Sequence, residues 1–176
     1  MKLAVFHNLP SGGAFRVLHD KLKHFKERGH AASLYSFSTA DHNFLSLDRL
    51  AERSHVEPLR FQGIFRFRDY FRATRRVAEA INRSDAEWVF VSKCRFFGSP
   101  PILRYLKKPV VFYSHEPLRI RQYEMLAGGS PDRRFGYFTN FMDLPPGRKV
   151  RKLLRVFGHF FVKAHDRRSM RSARLV

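Results

Sequence analysis

Leu9-Pro10-Ser11-Gly12-Gly13-Ala14-Phe15-Arg16-Val17-Leu18 is a small-residue turn that opens directly into a helical pattern, and it follows an apolar run at residues 3–7. A helix start leaves backbone N–H groups unpaired and carries the positive end of the helix dipole. Glycines let an anion approach those groups without a Cβ in the way. The stretch therefore predicts a phosphate-bearing ligand at Gly12 and Gly13. Ser11, as an N-cap before the two glycines, would equally serve a purely structural turn, and this stretch alone leaves the two readings level.

Outward from the turn, Ala14, Val17, Leu18, Leu22 and Phe25 recur at helical spacing until Gly29 stops the pattern, and residues 30–37 alternate and are rich in β-formers. Strand, turn, helix and strand make a βαβ unit. Leu45, Leu47, Leu50 and Ala51 predict a short helix, and residues 56–61 a third, weaker strand. Phe67, Tyr70, Phe71, Thr74, Val77, Ala78 and Ile81 share one helical face, after which residues 88–91 and Val110–Tyr113 read as buried strands. Strands alternating with helices predict an α/β fold, a Rossmann-like open parallel sheet with helices on both faces. Residues 128–146 carry Gly128-Gly129-Ser130-Pro131 and Pro145-Pro146 and predict a long surface excursion. Helical spacing returns at Arg148 and reaches Val176 without a cap or closing strand, which predicts a chain cut short.

A chain of 176 residues is long enough for one α/β domain and short for two. It has 34 Lys and Arg against 15 Asp and Glu, a formal charge of +19, which draws it toward nucleic acid, anionic lipid or phosphorylated substrates. Ten of those cations against Asp166 alone lie in residues 147–176. Cys94, the one cysteine, excludes an internal disulfide and a cysteine-based zinc cluster and fits a reducing compartment. No run approaches the ~20 apolar residues a membrane-spanning helix needs, and no signal-peptide core forms at the N-terminus, so a cytoplasmic chain is predicted. With 44% hydrophobic residues the charge sits on a folded body rather than a disordered tail. No His-Glu-x-x-His occurs, and no metal site is expected.

The order of these pieces resembles the N-terminal half of family-4 glycosyltransferases, retaining enzymes of the two-domain B-type fold. Pro10-Ser11-Gly12-Gly13-Ala14 with Arg16-Val17-Leu18, and Arg28-Gly29-His30 leading into the second strand, look like that family's opening βαβ unit. Tyr113-Ser114-His115-Glu116-Pro117 resembles its His-containing loop, and the basic helix from Arg148 the one preceding the link to the second domain. The resemblance implies that residues 1–176 are the acceptor-side domain, truncated before the donor-binding domain. It also implies transfer of a sugar from a nucleotide-sugar to a lipid-linked or polysaccharide acceptor, as in cell-envelope polysaccharide synthesis. The nucleotide-sugar would enter as a substrate, with no permanently bound cofactor. Gly12 and Gly13 would sit beside the donor pyrophosphate, and His115 near the transferred sugar or the acceptor hydroxyl as the catalytic candidate. Two departures stand out. Phe15 occupies a place where the family often has an acidic residue. The family's glutamates eight positions apart belong to the absent second domain, so Glu116 and Glu124 match that spacing by coincidence.

His115 has an imidazole able to exchange a proton near neutral pH, or else it caps a strand end through a backbone carbonyl. Phe65, Arg66, Phe67, Arg68 and Arg72 interleave rings and guanidinium groups, which predicts an acceptor or membrane surface with arginines on lipid phosphates. An amphipathic core helix with a solvated basic face accounts for the same pattern. Anionic membrane is thus an expected partner at the inner face, and nucleic acid ranks last because no nucleic-acid motif accompanies the charge. The rival function is a non-catalytic basic α/β module that holds nucleic acid or a phosphorylated ligand.

Overall fold

The computed structural model describes residues 1–62, 65–94, 96–97, 99–114, 164–165 and 168–169. Apart from Ala164 and His165, these belong to one of two compact units of the chain, the unit that carries the parallel sheet. Its first strand, β1 (Lys2–Asn8), pairs in parallel with β2 (Ala31–Phe37) on one side and with β4 (Trp88–Cys94) on the other. Outside them lie β3 (Arg53–Glu57) against β2 and β5 (Val110–Tyr113) against β4. The order β3-β2-β1-β4-β5, all parallel, is the Rossmann-like arrangement expected from the sequence.

Helix α1 (Gly13–Glu27) covers one face of the sheet and α2 (Arg66–Arg83) the other. On the α1 face, Phe15, Leu18 and Leu22 pack with Val5, Leu34 and Phe90, which are cross-strand neighbours in register. On the opposite face the Phe37 ring meets Phe6 at 5.4 Å and Tyr70 of α2 at 5.4 Å, both edge-on. The period of two along the central strands thus sends alternate residues to different helices, so both faces are apolar there and β1 and β4 read as continuous hydrophobic runs.

Three local expectations change. The third strand lies at Arg53–Glu57, upstream of residues 56–61, and Leu59 is buried in the loop that follows, its N–H donating to Ser38 Oγ at 2.9 Å. The short helix is a single 3-10 turn, Asp48–Leu50. The N-cap of α1 is Gly12 and not Ser11, with no side-chain cap. The predicted excursion at residues 128–146 and nearly all of the basic helix from Arg148 lie outside the described residues.

The C-terminal end of α2 is tied to the segment that leads into β5. Asn82 Nδ2 donates to the Tyr105 carbonyl and Asn82 Oδ1 accepts the Lys107 N–H, both at 2.9 Å. Lys108 Nζ donates to the Ser84 and Ala86 carbonyls at 2.6 and 2.7 Å, placing a cation where the helix dipole is negative.

Candidate functional site

In a sheet of this order, ligands bind outside the carboxyl ends of the strands at the point where the connections reverse direction, here between β1 and β4. The glycine turn follows β1 directly and therefore lies at that crevice. Gly12 has φ 134° and ψ −167°, a conformation open essentially to glycine alone, whereas Gly13 is an ordinary helical residue. A Cβ built on either glycine meets nothing within 4 Å. The Gly12 carbonyl accepts the N–H groups of Phe15 and Arg16 at 3.1 Å each, and the N–H groups of Gly13 and Ala14 precede these first bonds of the helix. With no acidic residue in the first turn, the positive end of the dipole is uncompensated. This turn can take an anion.

Phe15, in the first turn of α1, points inward. It is buried and meets the rings of His7 at 5.6 Å and Phe44 at 5.7 Å, each nearly perpendicular. The side chain that sets the helix on the sheet is therefore apolar, and recognition at the turn falls to backbone groups.

Beneath Phe15 lies a small pocket around His7, the residue that closes the first apolar run. His7 is 1% exposed, and neither ring nitrogen has a hydrogen-bond partner; Ser36, opposite it in register on β2, has an unpartnered hydroxyl as well. Burial first, and the neighbouring His42 second, push the His7 pKa from 6.5 down to about 3, so the ring is neutral. His42 Nε2 donates to the Phe37 carbonyl at 3.1 Å. His7, His42, Leu47 and Asp48 help to line a cavity of about 10 Å³, roughly the room one water centre needs. Opposite His7 the β1/β4 register slips, so that Ser92 and Lys93 together face one residue, a bulge of the kind that re-aims side chains beside sites.

Asn8 is buried on the other face, accepting from Thr39 Oγ1 at 3.0 Å, with its amide 3.8 Å from Cys94 Sγ. Cys94 shares a 2.9 Å hydrogen bond with Tyr70 Oη, and burial pushes its thiol pKa up. It is packed and protonated, as a structural cysteine is.

The aromatic and basic stretch divides. Phe65 is 54% exposed, with Arg68 over its ring at 4.3 Å. Arg66 lies over Phe67 at 5.1 Å and over Phe61 at 5.8 Å, and Arg72 is exposed. Phe67 is half-buried, edge-on to Phe61 at 5.6 Å and near Phe97 at 6.3 Å. Phe65, Arg66, Arg68 and Arg72 thus form the exposed surface, and Phe67 belongs to the packing beneath it. His115 lies outside the described residues. Among the described residues no three His, Cys, Asp or Glu side chains gather to hold a metal ion, and no helix is long and apolar enough to cross a membrane.

No family model matches the chain, and no curated protein matches it. Among solved structures, the C-terminal domain of a hydrogenase from Pyrococcus furiosus is similar at 17% identity and a TM-score of 0.46, over 63% of this chain and 89% of that one. CalG4, the calicheamicin glycosyltransferase, is similar at 14% identity and a TM-score of 0.40, over 93% of this chain. The match spans 45% of that glycosyltransferase's length. Strand order and register, rather than these slight likenesses, establish the Rossmann-like fold of this chain.

Proposed function

We propose that this chain is the acceptor-side half of a retaining glycosyltransferase that moves a sugar from a nucleotide-sugar to a lipid-linked or polysaccharide acceptor. The observation that carries the reading is the uncapped start of α1, with Gly12 in a glycine-only conformation and open space at both glycines, at the reversal point of the sheet. Backbone N–H groups of Gly13 and Ala14 would meet the donor pyrophosphate, a second domain would hold the nucleotide, and His115 would serve the reacting sugar, as the sequence resemblance implies. Peripheral attachment to the inner membrane face would use exposed Phe65 and Arg66, a ring in the acyl boundary beside guanidinium groups on lipid phosphate.

The test is amide NMR of the labelled chain titrated with UDP-glucose and with inorganic pyrophosphate. Millimolar binding with shifts centred on Gly12 to Arg16 is expected, lost in Gly13→Val. An unshifted glycine turn at saturating pyrophosphate would remove the reading, whatever the arginine face of α2 does. The rival, a non-catalytic basic module, draws on the arginine face of α2 and predicts phosphate-dependent shifts there with none at the glycine turn.

A further inference from the structure

A second basic feature lies on α2 beyond the Phe65 surface. Arg72, Arg75 and Arg83 are exposed along one side of the helix, and they are faced by Arg104, the last residue of the 3-10 turn Pro101–Arg104, and by Lys107 in the segment after it. Between these two walls run adjoining hollows of about 460 and 650 Å³ that share Arg75, Glu79 and Tyr105. Glu79 is the only carboxylate among the described residues that line them. From Arg72 to Arg83 the helix rises about 16 Å, at ~1.5 Å per residue, so the cations form a row rather than a spot.

The shape and the rings decide what fits. A bilayer is flat, and a groove with basic residues on both walls suits a strand that lies within it. Single-stranded nucleic acid is gripped by bare aromatic faces on which bases stack, and Tyr105 is instead occupied by the guanidinium groups of Arg75 at 5.4 Å and Arg104 at 5.7 Å. Phe71 is engaged by Tyr70 at 6.0 Å and Phe97 at 5.9 Å. The exposed guanidinium groups of Arg72 and Arg83, with the Lys107 ammonium across from them, suit oxyanions.

We propose that the groove between α2 and the 104–107 segment binds an anionic polysaccharide, a glycan bearing carboxylate or other oxyanion groups at regular spacing. The choice of a glycan as the polymer rests on the transferase reading, in which the groove holds a distal part of the acceptor.

The experiment uses the full chain and a polygalacturonate oligomer, with a neutral dextran oligomer of equal length, polyuridylate and phosphatidylserine vesicles beside it. The groove variant Arg72→Gln/Arg83→Gln/Lys107→Gln is compared with a charge-matched control, Arg28→Gln/Arg49→Gln/Arg53→Gln, which removes three exposed cations elsewhere. Circular dichroism melting verifies that both fold. Polygalacturonate is expected to bind wild type and control alike, at least about tenfold more weakly to the groove variant, and more weakly as salt rises; dextran should not bind. Equal losses in the two variants would show attraction by overall charge and overturn the proposal, as would tighter, groove-dependent binding of polyuridylate or vesicles. If UDP-glucose shifts the glycine turn while polygalacturonate ignores the groove, the transferase reading stands and this inference falls.

Discussion

His7→Phe replaces a buried imidazole whose two nitrogens are unpartnered with a ring that needs none. At neutral pH the change relieves an unsatisfied polar group, a cost of about 1–3 kcal/mol, and the variant is expected to be more stable than wild type. Acid enlarges the difference. The native ring protonates near pH 3 and the unfolded one near 6.5, so between those values the unfolded chain holds a proton that the fold excludes. Because the native value is depressed, the stability linked to this group is fully present above pH 6.5 and is lost as pH falls toward 3. The slope is about 1.4 kcal/mol per pH unit, so from pH 7.5 to 4.5 wild type loses roughly 2–3 kcal/mol through His7 alone. Carboxylates and the repulsion of a chain already at +19 also titrate, but they are common to both proteins and cancel in the difference. Urea unfolding followed by Trp88, the single tryptophan, at the two pH values measures it. His7→Leu, run beside the phenyl variant, guards against overpacking. If wild type and both variants lose the same stability between pH 7.5 and 4.5, the buried, unpaired state of His7 is refuted.

Gly12→Ala should cost about 1–3 kcal/mol because of its positive φ, whereas Gly13→Ala should leave melting unchanged or slightly raised while abolishing pyrophosphate shifts; the opposite order in a melting series would contradict the turn geometry. Tyr70→Phe should cost about 1 kcal/mol for the lost bond to Cys94, read by denaturant titration, and Cys94 should react with a thiol reagent only on unfolding. Sedimentation with phosphatidylserine vesicles should weaken on raising salt and in Phe65→Ala/Arg66→Gln, and equal sedimentation with neutral vesicles would end the membrane proposal.

The sheet was legible because its central strands carry their own signal. Residues 3–7 and 88–91 fall within β1 and β4, since burial on two faces leaves continuous apolar runs, and residues 30–37 overrun β2 by one at His30; β5 coincides with Val110–Tyr113 but is an edge strand with Val111 48% exposed, not the buried strand its apolar run predicts. β3 was not legible. Most of its residues are exposed, Val56 is 44% so, and nothing in Arg53-Ser54-His55 marks a strand that is itself the sheet edge. Leu59 and Phe61 drew the prediction downstream because they are apolar, yet their burial comes from loop packing and from Phe96 stacked on Phe61 at 3.8 Å. At the site, the glycine turn could be read from composition, but which glycine needs positive φ could not. Nor could the sequence show that Phe15 turns inward. His7 was visible only as a strand end, because an unpartnered imidazole is a property of what three other segments bring against it.

The ties at the end of α2 bear on how fast and how selectively a charged strand is held. Asn82 and Lys108 fasten the helix terminus to residues 105–108 from both sides, so the backbones carrying Arg83 and Lys107 keep a set separation before anything arrives. The entropy lost in ordering that clamp falls on folding rather than on binding. The groove then behaves as a ruler: a chain whose charges recur at the matching interval is held at several points at once, and one with a different interval is held at one point and released.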